Sequence, residues 1–139
     1  TVENIGGPLT APLTNHCETL LSQLWYPCTV ATISRETKKI CQHYLERTGG
    51  NMAHLGFMLH DFGYRGVSSV ESAGIGGMAH LVNFYGTDTI RAMEYGETFY
   101  DAQPRTLAFS VPATEHSVMT SMGKDGEDWK VATVEVTLE

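Results

Sequence analysis

The chain has 139 residues, of which 42% are hydrophobic and 18% are charged, and its formal net charge is −7. This balance is typical of a globular protein and excludes a fully disordered chain. The acidic excess provides no overall basic surface, so we expect no nucleic-acid partner. No apolar run reaches the ~18 residues of a transmembrane helix, so we expect no membrane association. The length predicts one domain or part of one.

Both ends of the sequence favour a piece of a longer protein. The chain begins with Thr1, and the next residues lack the charged and apolar regions of a signal peptide. At the other end, Ala132, Val134, Val136 and Leu138 alternate with polar residues, which is typical of a half-buried strand. The sequence stops inside this predicted element.

The three cysteines, Cys17, Cys28 and Cys41, are widely spaced and form no CxxC pair. Their odd number and their positions in helix-like stretches favour reduced thiols, the normal state in the cytoplasm. We therefore expect a cytoplasmic protein.

Residues 1–50 predict a helical segment. Asn15 and Glu18 have the spacing of a capping box, and an apolar stripe at helical spacing follows. Pro27 is expected to end or kink this helix. A second helix is predicted from about Ile33 to Thr48, where two glycines stop it. The first stripe consists of Leu20, Leu21, Leu24 and Trp25.

From residue 57 onward, the pattern of strand, polar turn and helix recurs. An apolar run at 57–59 leads into the polar turn 60–66, and Ser68 with Glu71 predicts a capped helix to about Phe84. Thr87 or Asp88 is predicted to cap a short helix through Met93. A strand is predicted over 107–111, and a helix is predicted to open at 114–116. This alternation predicts an α/β fold with a parallel sheet or barrel.

Polar residues cluster where the predicted strands end and the helices begin, which is where βα folds carry their chemistry. This placement predicts an active site along one rim. The alternative for Ser68 and Asp88 is a role as simple helix caps. The junction residues are His60, Asp61, Arg65, Asp88, Ser110, Glu115 and His116.

Three other interpretations of the motifs are less favoured. The glycines at 74, 76 and 77 follow the predicted helix start, so they indicate close helix packing and not a phosphate loop. The six histidines lack the spacing of metal ligands, so no metal site is predicted. His60 and Asp61 are adjacent in a predicted strand and point to opposite faces, so they are not expected to pair with each other.

Four segments resemble the nicotinamide phosphoribosyltransferases: residues 24–32, LHDFGYRGVSS at 59–69, ESAGIGGMAHLVNFYGTDT at 71–89, and SVPATEHSVMTSMGK at 110–124. The resemblance covers roughly residues 17–124. It implies part of an irregular β/α barrel of the type II phosphoribosyltransferase kind, preceded by an N-terminal helical segment. Residues 1–50 would then link to a missing N-terminal domain, and residues 51–139 would form a partial barrel. It also implies a homodimer with shared active sites.

The family forms nicotinamide mononucleotide and diphosphate from nicotinamide and phosphoribosyl diphosphate, with Mg²⁺ and with optional coupling to ATP hydrolysis. By resemblance, Phe62 stacks on the nicotinamide ring and Asp88 accepts a hydrogen bond from its amide. Arg65 would contact the diphosphate. His116 would also meet the diphosphate and become phosphorylated when ATP is used. Ser110 and Val111 would line the pocket.

Two alternatives stay open. A nicotinate phosphoribosyltransferase would use the acid, although the carboxylate of Asp88 should repel it. A non-catalytic binding module is the alternative for the chain in isolation. The resemblance does not extend to residues 94–106 or to residues beyond 127, so their register and role are not predicted.

Overall fold

The computed structural model describes residues 2–113 and 115–121. The chain divides into two compact units, Thr1–Phe109 and Ser110–Glu139, and each is described by itself. The predicted strand over 132–138 and the segment beyond 127 lie outside the described residues. The expected division at residue 50 falls at the end of the first helix, and as a domain boundary it stays a prediction.

A single long helix, α1 (Ala11–Thr48), replaces the two predicted helices. Thr10 occupies the N-cap position instead of Asn15, and Pro27 lies inside the helix. Proline removes one backbone hydrogen bond, but residues on both sides of this position are held by hydrogen bonds with residues 72 and 83. The Tyr26 hydroxyl donates to the Ser72 carbonyl at 3.3 Å, and the Asn83 amide donates to the Ala31 carbonyl at 3.0 Å. The prediction that Pro27 separates two helices is therefore wrong.

The predicted stop at the glycine pair is confirmed. Gly49 has a φ of 69°, the left-handed conformation that commonly follows a helix and that glycine adopts without strain. The apolar stripe of α1 is less buried than a helix face in a core would be. Leu20, Leu21, Leu24 and Trp25 keep 50% to 60% of their surface exposed.

A short 3-10 helix, Met52–Phe57, leads to strand β1 (His60–Asp61), and a second, Gly63–Gly66, follows it. The next elements are helix α2 (Val70–Leu81), strand β2 (Gly86–Thr87), helix α3 (Ile90–Tyr100) and the single turn α4 (Pro104–Leu107). In the second unit, helix α5 spans His116–Ser121.

The two strands pair in parallel, with His60 opposite Gly86 and Asp61 opposite Thr87. Gly86 also forms a parallel bridge to Phe109 on its other side. The prediction of an α/β fold with a parallel sheet is confirmed at this level. The strands do not coincide with the predicted segments. Residues 57–59 precede β1, and β2 lies where no strand is predicted. The predicted strand over 107–111 contributes the bridge at Phe109, because Leu107 belongs to α4.

The helix caps differ by a residue or more from the predicted ones. Ser69, and not Ser68, caps α2, and its hydroxyl accepts from the Ser72 N–H at 3.0 Å. Thr89 occupies the N-cap position of α3, so neither Thr87 nor Asp88 does. Helix α2 ends at Leu81, before the predicted end, and α3 continues to Tyr100, beyond the predicted end.

Helix α2 packs against α1 and α3 through its glycines, as the sequence predicted. A methyl group on Gly77 would lie 2.7 Å from the Cβ of Ala92, and one on Gly74 would lie 2.7 Å from the ring of Tyr95. The small core beside them contains Met78, Leu81 and Ala92, with Tyr95, Leu107 and Ala108 packed against it. Across the described ranges, no helix combines the length and the apolar character that crossing a bilayer requires.

Candidate functional site

The carboxyl ends of β1 and β2 meet at one edge of the sheet because the two strands are parallel. Phe62 and Arg65 follow β1, and Asp88 follows β2. The main-chain N–H of Asp88 donates to the Asp61 carbonyl at 2.9 Å, which holds the two strand ends together. In the first unit, residues that follow the strand ends therefore supply an aromatic ring, a cation and a carboxylate, whereas Ser110, Glu115 and His116 of the predicted rim belong to the second unit.

A histidine–carboxylate pair lies at this rim. His60 Nε2 is 3.1 Å from Asp88 Oδ1. The His60 side chain keeps 11% of its surface exposed, whereas that of Asp88 keeps 43%. The imidazole lies over Gly86, its partner in the register, where any side chain would clash with Nδ1. The sequence did not reveal this pair, since it depends on which residue follows the neighbouring strand.

The neighbouring carboxylate, Asp61, faces the other side of the sheet, as expected for adjacent strand residues. Its Oδ1 accepts from the Gly63 N–H at 2.8 Å and its Oδ2 accepts from the Thr87 hydroxyl at 3.1 Å. Asp61 therefore fixes the start of the turn that carries Phe62 and the end of β2, and we assign it a structural role.

Phe62 presents an aromatic face at the rim. Its ring stacks on the His60 imidazole with a centroid distance of 4.3 Å and an angle of 25°. The residue is 55% exposed, so much of the ring remains accessible to a ligand. Aromatic faces of this kind stack well on flat heteroaromatic rings.

Arg65 lies in the 3-10 helix Gly63–Gly66, three residues beyond Phe62, and is exposed. A guanidinium group at this position offers a fork of donors suited to phosphate oxygens. The rim therefore combines a surface for an aromatic ring with a cation suited to an anionic group.

A cleft of about 390 Å³ opens beside this rim, between β1, α1 and α2. This volume falls within the range of small-molecule sites. Its lining includes Tyr26, His60, Phe62, Gly77 and Thr89, whereas Asp88 and Arg65 do not line it. The cleft therefore reaches the aromatic part of the rim and not its charged groups.

A buried histidine of α2, His80, contacts the first residue of β2. His80 Nε2 donates to the Gly86 carbonyl at 2.9 Å, and its ring stacks on Phe84 at 5.4 Å. Burial lowers the pKa of His80, and the hydrogen bond to Gly86 opposes this effect only in part. Sequence reasoning missed this role because the contact spans the turn between α2 and β2.

The second unit carries the other predicted site residues. Ser110 and Val111 are exposed at its start, and His116 is the first residue of α5, which confirms the predicted helix opening. The His116 side chain is 84% exposed, and its Nδ1 lies 3.1 Å from Glu115 Oε1. Glu115 is thus its carboxylate neighbour within this unit.

No metal centre is formed by the residues that the structure describes, since no three of their His, Cys, Asp and Glu side chains converge. The groups at the rim that the structure does describe are the aromatic ring of Phe62, the Asp88 carboxylate and Arg65. The carboxyl edge of the parallel strands thus presents a ring that can stack on a flat ligand, a carboxylate that can accept a hydrogen bond, and an arginine in the turn after Phe62.

Comparison with known proteins identifies the family of the chain. Residues 57–134 match the nicotinate phosphoribosyltransferase (NAPRTase) family, and the chain belongs to this family. It is 48% identical over 114 residues to a nicotinamide phosphoribosyltransferase of Xanthomonas campestris, over 81% of this chain. It is 41% identical over 116 residues, or 83% of this chain, to one of Acinetobacter baylyi. A protein of the same name from Mycoplasma pneumoniae is 36% identical over 116 residues, also 83% of this chain.

These alignments cover a small part of the relatives. The matched region spans 24% of the Xanthomonas protein and 23% of each of the other two. The chain thus corresponds to about a quarter of the length of these curated relatives.

Proposed function

We propose that this chain carries the nicotinamide-recognising rim of a nicotinamide phosphoribosyltransferase acting in NAD salvage. The complete enzyme joins nicotinamide to phosphoribosyl diphosphate and releases nicotinamide mononucleotide and diphosphate. One observation carries the proposal: Phe62 and Asp88 lie at the same edge of the parallel sheet, linked through His60. Relatives that bear the enzyme's name match the chain across this edge.

The reaction suits the groups at the rim. The ring nitrogen of nicotinamide attacks the anomeric carbon of the ribose, and the carbon–oxygen bond to diphosphate breaks. The diphosphate leaves with the electron pair, and the positive charge moves onto the pyridinium ring. Phe62 holds the ring by stacking, and Asp88 accepts a hydrogen bond from the carboxamide N–H. Positioning the nucleophile in this way lowers the entropic part of the barrier.

Anion stabilisation falls to Arg65 and His116 in this proposal. The guanidinium of Arg65 pairs with diphosphate oxygens, and Ser110 and Val111 line the pocket. When ATP is used, a nitrogen of His116 attacks the γ-phosphorus and ADP leaves, which gives a phosphohistidine. Mg²⁺ belongs to the same proposal as the ion that phosphoribosyl diphosphate brings with it, since Mg²⁺ commonly binds phosphate oxygens of a substrate.

The charge of Asp88 also favours one of the two substrates that the family suggests, nicotinamide and nicotinate. Nicotinate would bring its carboxylate next to that of Asp88, and two like charges at a half-buried rim repel. The amide of nicotinamide has donors that the carboxylate accepts. We therefore propose nicotinamide, and not nicotinate, as the substrate.

The wider organisation belongs to the same proposal. The two paired strands and the bridge to Phe109 are consecutive parallel neighbours, which is the arrangement of successive strands in a β/α barrel. We propose a barrel completed by other parts of the enzyme, a homodimer with shared active sites, and a cytoplasmic location.

An assay of the complete product of the gene tests this function. The protein is incubated with phosphoribosyl diphosphate, Mg²⁺ and either nicotinamide or nicotinate, with and without ATP. The proposal expects nicotinamide mononucleotide as the main product. Formation of nicotinate mononucleotide at a higher kcat/KM, or no mononucleotide at all, would overturn it.

A further inference from the structure

We infer that His60 is a positioning residue that sets the preference for nicotinamide by holding Asp88 and Phe62 in a fixed relation. The inference rests on the proposed function, since it concerns how the same rim recognises its ligand. In this inference, the His60 side chain does not contact the reacting atoms, and its role goes beyond packing.

The hydrogen bond to Asp88 carries the first step. An ionised carboxylate only accepts, so the 3.1 Å contact requires that His60 Nε2 is the protonated nitrogen and donates to Oδ1. One carboxylate oxygen is thereby tied to the sheet, and this fixes the plane in which the carboxylate faces a ligand amide. A hydrogen bond to a charged group is stronger than a neutral one, so the orientation persists.

The burial of the pair carries the second step. The His60 side chain is only 11% exposed, and it is anchored in β1 opposite Gly86, where the absence of a side chain makes room for the ring. Asp88 is 43% exposed and lies one residue beyond β2. We infer that His60, the more buried of the two and anchored in β1, sets the orientation of the more exposed Asp88.

The stack on Phe62 carries the third step. The same imidazole lies 4.3 Å from the Phe62 ring at an angle of 25°. One side chain thus contacts both groups that recognise the ligand, the ring for stacking and the carboxylate for the amide. The preference for nicotinamide depends on the distance between the Phe62 ring and the Asp88 carboxylate, and His60 fixes that distance because it contacts both.

Three substitutions separate the two contacts. His60→Phe keeps a ring against Phe62 and removes the donor. His60→Gln places an amide N–H near the position of Nε2 and removes the ring. His60→Asn places its N–H near the position of Nδ1, too far from Asp88 to donate. The exposed His43 on α1 supplies the control, as His43→Phe.

The measurements are KM and kcat for nicotinamide and for nicotinate, with the complete product of the gene. We expect His60→Phe and His60→Asn to raise the nicotinamide KM by about tenfold or more and to change kcat less. The preference for nicotinamide over nicotinate should fall by a similar factor. His60→Gln should restore most of the preference, and His43→Phe should match the wild type.

A double-mutant cycle with Asp88→Ser completes the test. If His60 acts through Asp88, His60→Phe should add less than about twofold to the loss caused by Asp88→Ser, since coupled residues are not additive. Independent, multiplicative losses would overturn the inference. So would equal losses in His60→Gln and His60→Asn, which would indicate a packing role only.

Failure of the inference differs from failure of the proposed function. An active wild type whose preference survives His60→Phe contradicts the role of His60 and leaves the function standing. A wild type that makes no nicotinamide mononucleotide contradicts the function itself, and the inference falls with it.

Discussion

Two aspartates on neighbouring strands have different roles because the register places them differently. Asp61 lies within β1 on the helix-facing side, where a backbone N–H and a hydroxyl occupy both of its oxygens. Asp88 lies just beyond β2 at the rim and contacts His60. Residue type alone does not separate the two, whereas position relative to the strand ends does.

The buried His80 predicts how stability depends on pH. Burial lowers its pKa below the ordinary 6.5, so the unfolded chain binds a proton at a higher pH than the folded chain does. The contribution of neutral His80 to the stability of the folded chain is therefore fully present above pH 6.5. It is lost as the pH falls from there towards the lower pKa of the folded state. We expect the thermal unfolding midpoint of the purified chain to drop as the pH is lowered below about 6.5.

A matched pair of variants isolates this contribution. His80→Gln keeps a donor for the Gly86 carbonyl but does not titrate, so its midpoint should vary less with pH than that of the wild type. His43→Gln, on the exposed face of α1, should retain the wild-type pH dependence. An unchanged pH dependence in His80→Gln would refute the assignment.

The role proposed for His116 predicts a specific loss. In the complete product of the gene, His116→Ala should fold and still bind nicotinamide through Phe62 and Asp88, because those residues follow the strands β1 and β2 in the first unit, whereas His116 belongs to the second. It should lose the stimulation of synthesis by ATP, because no imidazole remains to accept the phosphoryl group. Synthesis rates with and without ATP measure this, and full stimulation in the variant would contradict the role.

At the scale of elements, the glycines of α2 determine how closely the helices pack. Gly77→Ala would place its methyl group 2.7 Å from the Cβ of Ala92 and 3.1 Å from Asp61 Oδ2. Overpacking costs about 1–3 kcal/mol, and the better helix propensity of alanine offsets up to about 1 kcal/mol. We expect the free energy of unfolding to fall by about 1 kcal/mol in urea titrations.

Gly66→Ala is the control for this substitution, because nothing lies within 4 Å of the position its methyl group would occupy. Its effect on stability should stay within about 0.5 kcal/mol. If Gly77→Ala is as stable as Gly66→Ala or more so, close packing at Gly77 does not constrain the fold.

The elements show which features the sequence predicts and which it does not. The recurring strand–turn–helix pattern predicts the parallel pairing and places Arg65 and Asp88 at strand–helix junctions, whereas Phe62 enters through the family resemblance. The expectation that Pro27 ends the helix fails because proline removes only one local backbone hydrogen bond. Long-range contacts on both sides of Pro27 keep α1 continuous. The pairing of His60 with Asp88 depends on the register between strands, which periodicity within a single strand does not specify.

For the whole molecule, the chain spans about a quarter of the length of its relatives, 24% of the Xanthomonas protein. In the proposal, its residues provide the rim for nicotinamide and part of the diphosphate contacts, and other parts of the enzyme supply the remaining ribose and phosphate contacts. We therefore expect no turnover from the purified 139-residue chain. Mononucleotide formation by the chain alone, measured against the complete product of the gene, would show that the other parts are dispensable.

The central claim is that Asp88 at this rim selects nicotinamide. It is tested most directly by kcat/KM for nicotinamide and for nicotinate, in the complete product of the gene and in its Asp88→Ser variant. The loss of one hydrogen bond to a charged group is worth about 1.5–3 kcal/mol, so nicotinamide kcat/KM should fall about ten- to a hundredfold. Discrimination against nicotinate should relax as well. An unchanged nicotinamide kcat/KM in Asp88→Ser would contradict the claim.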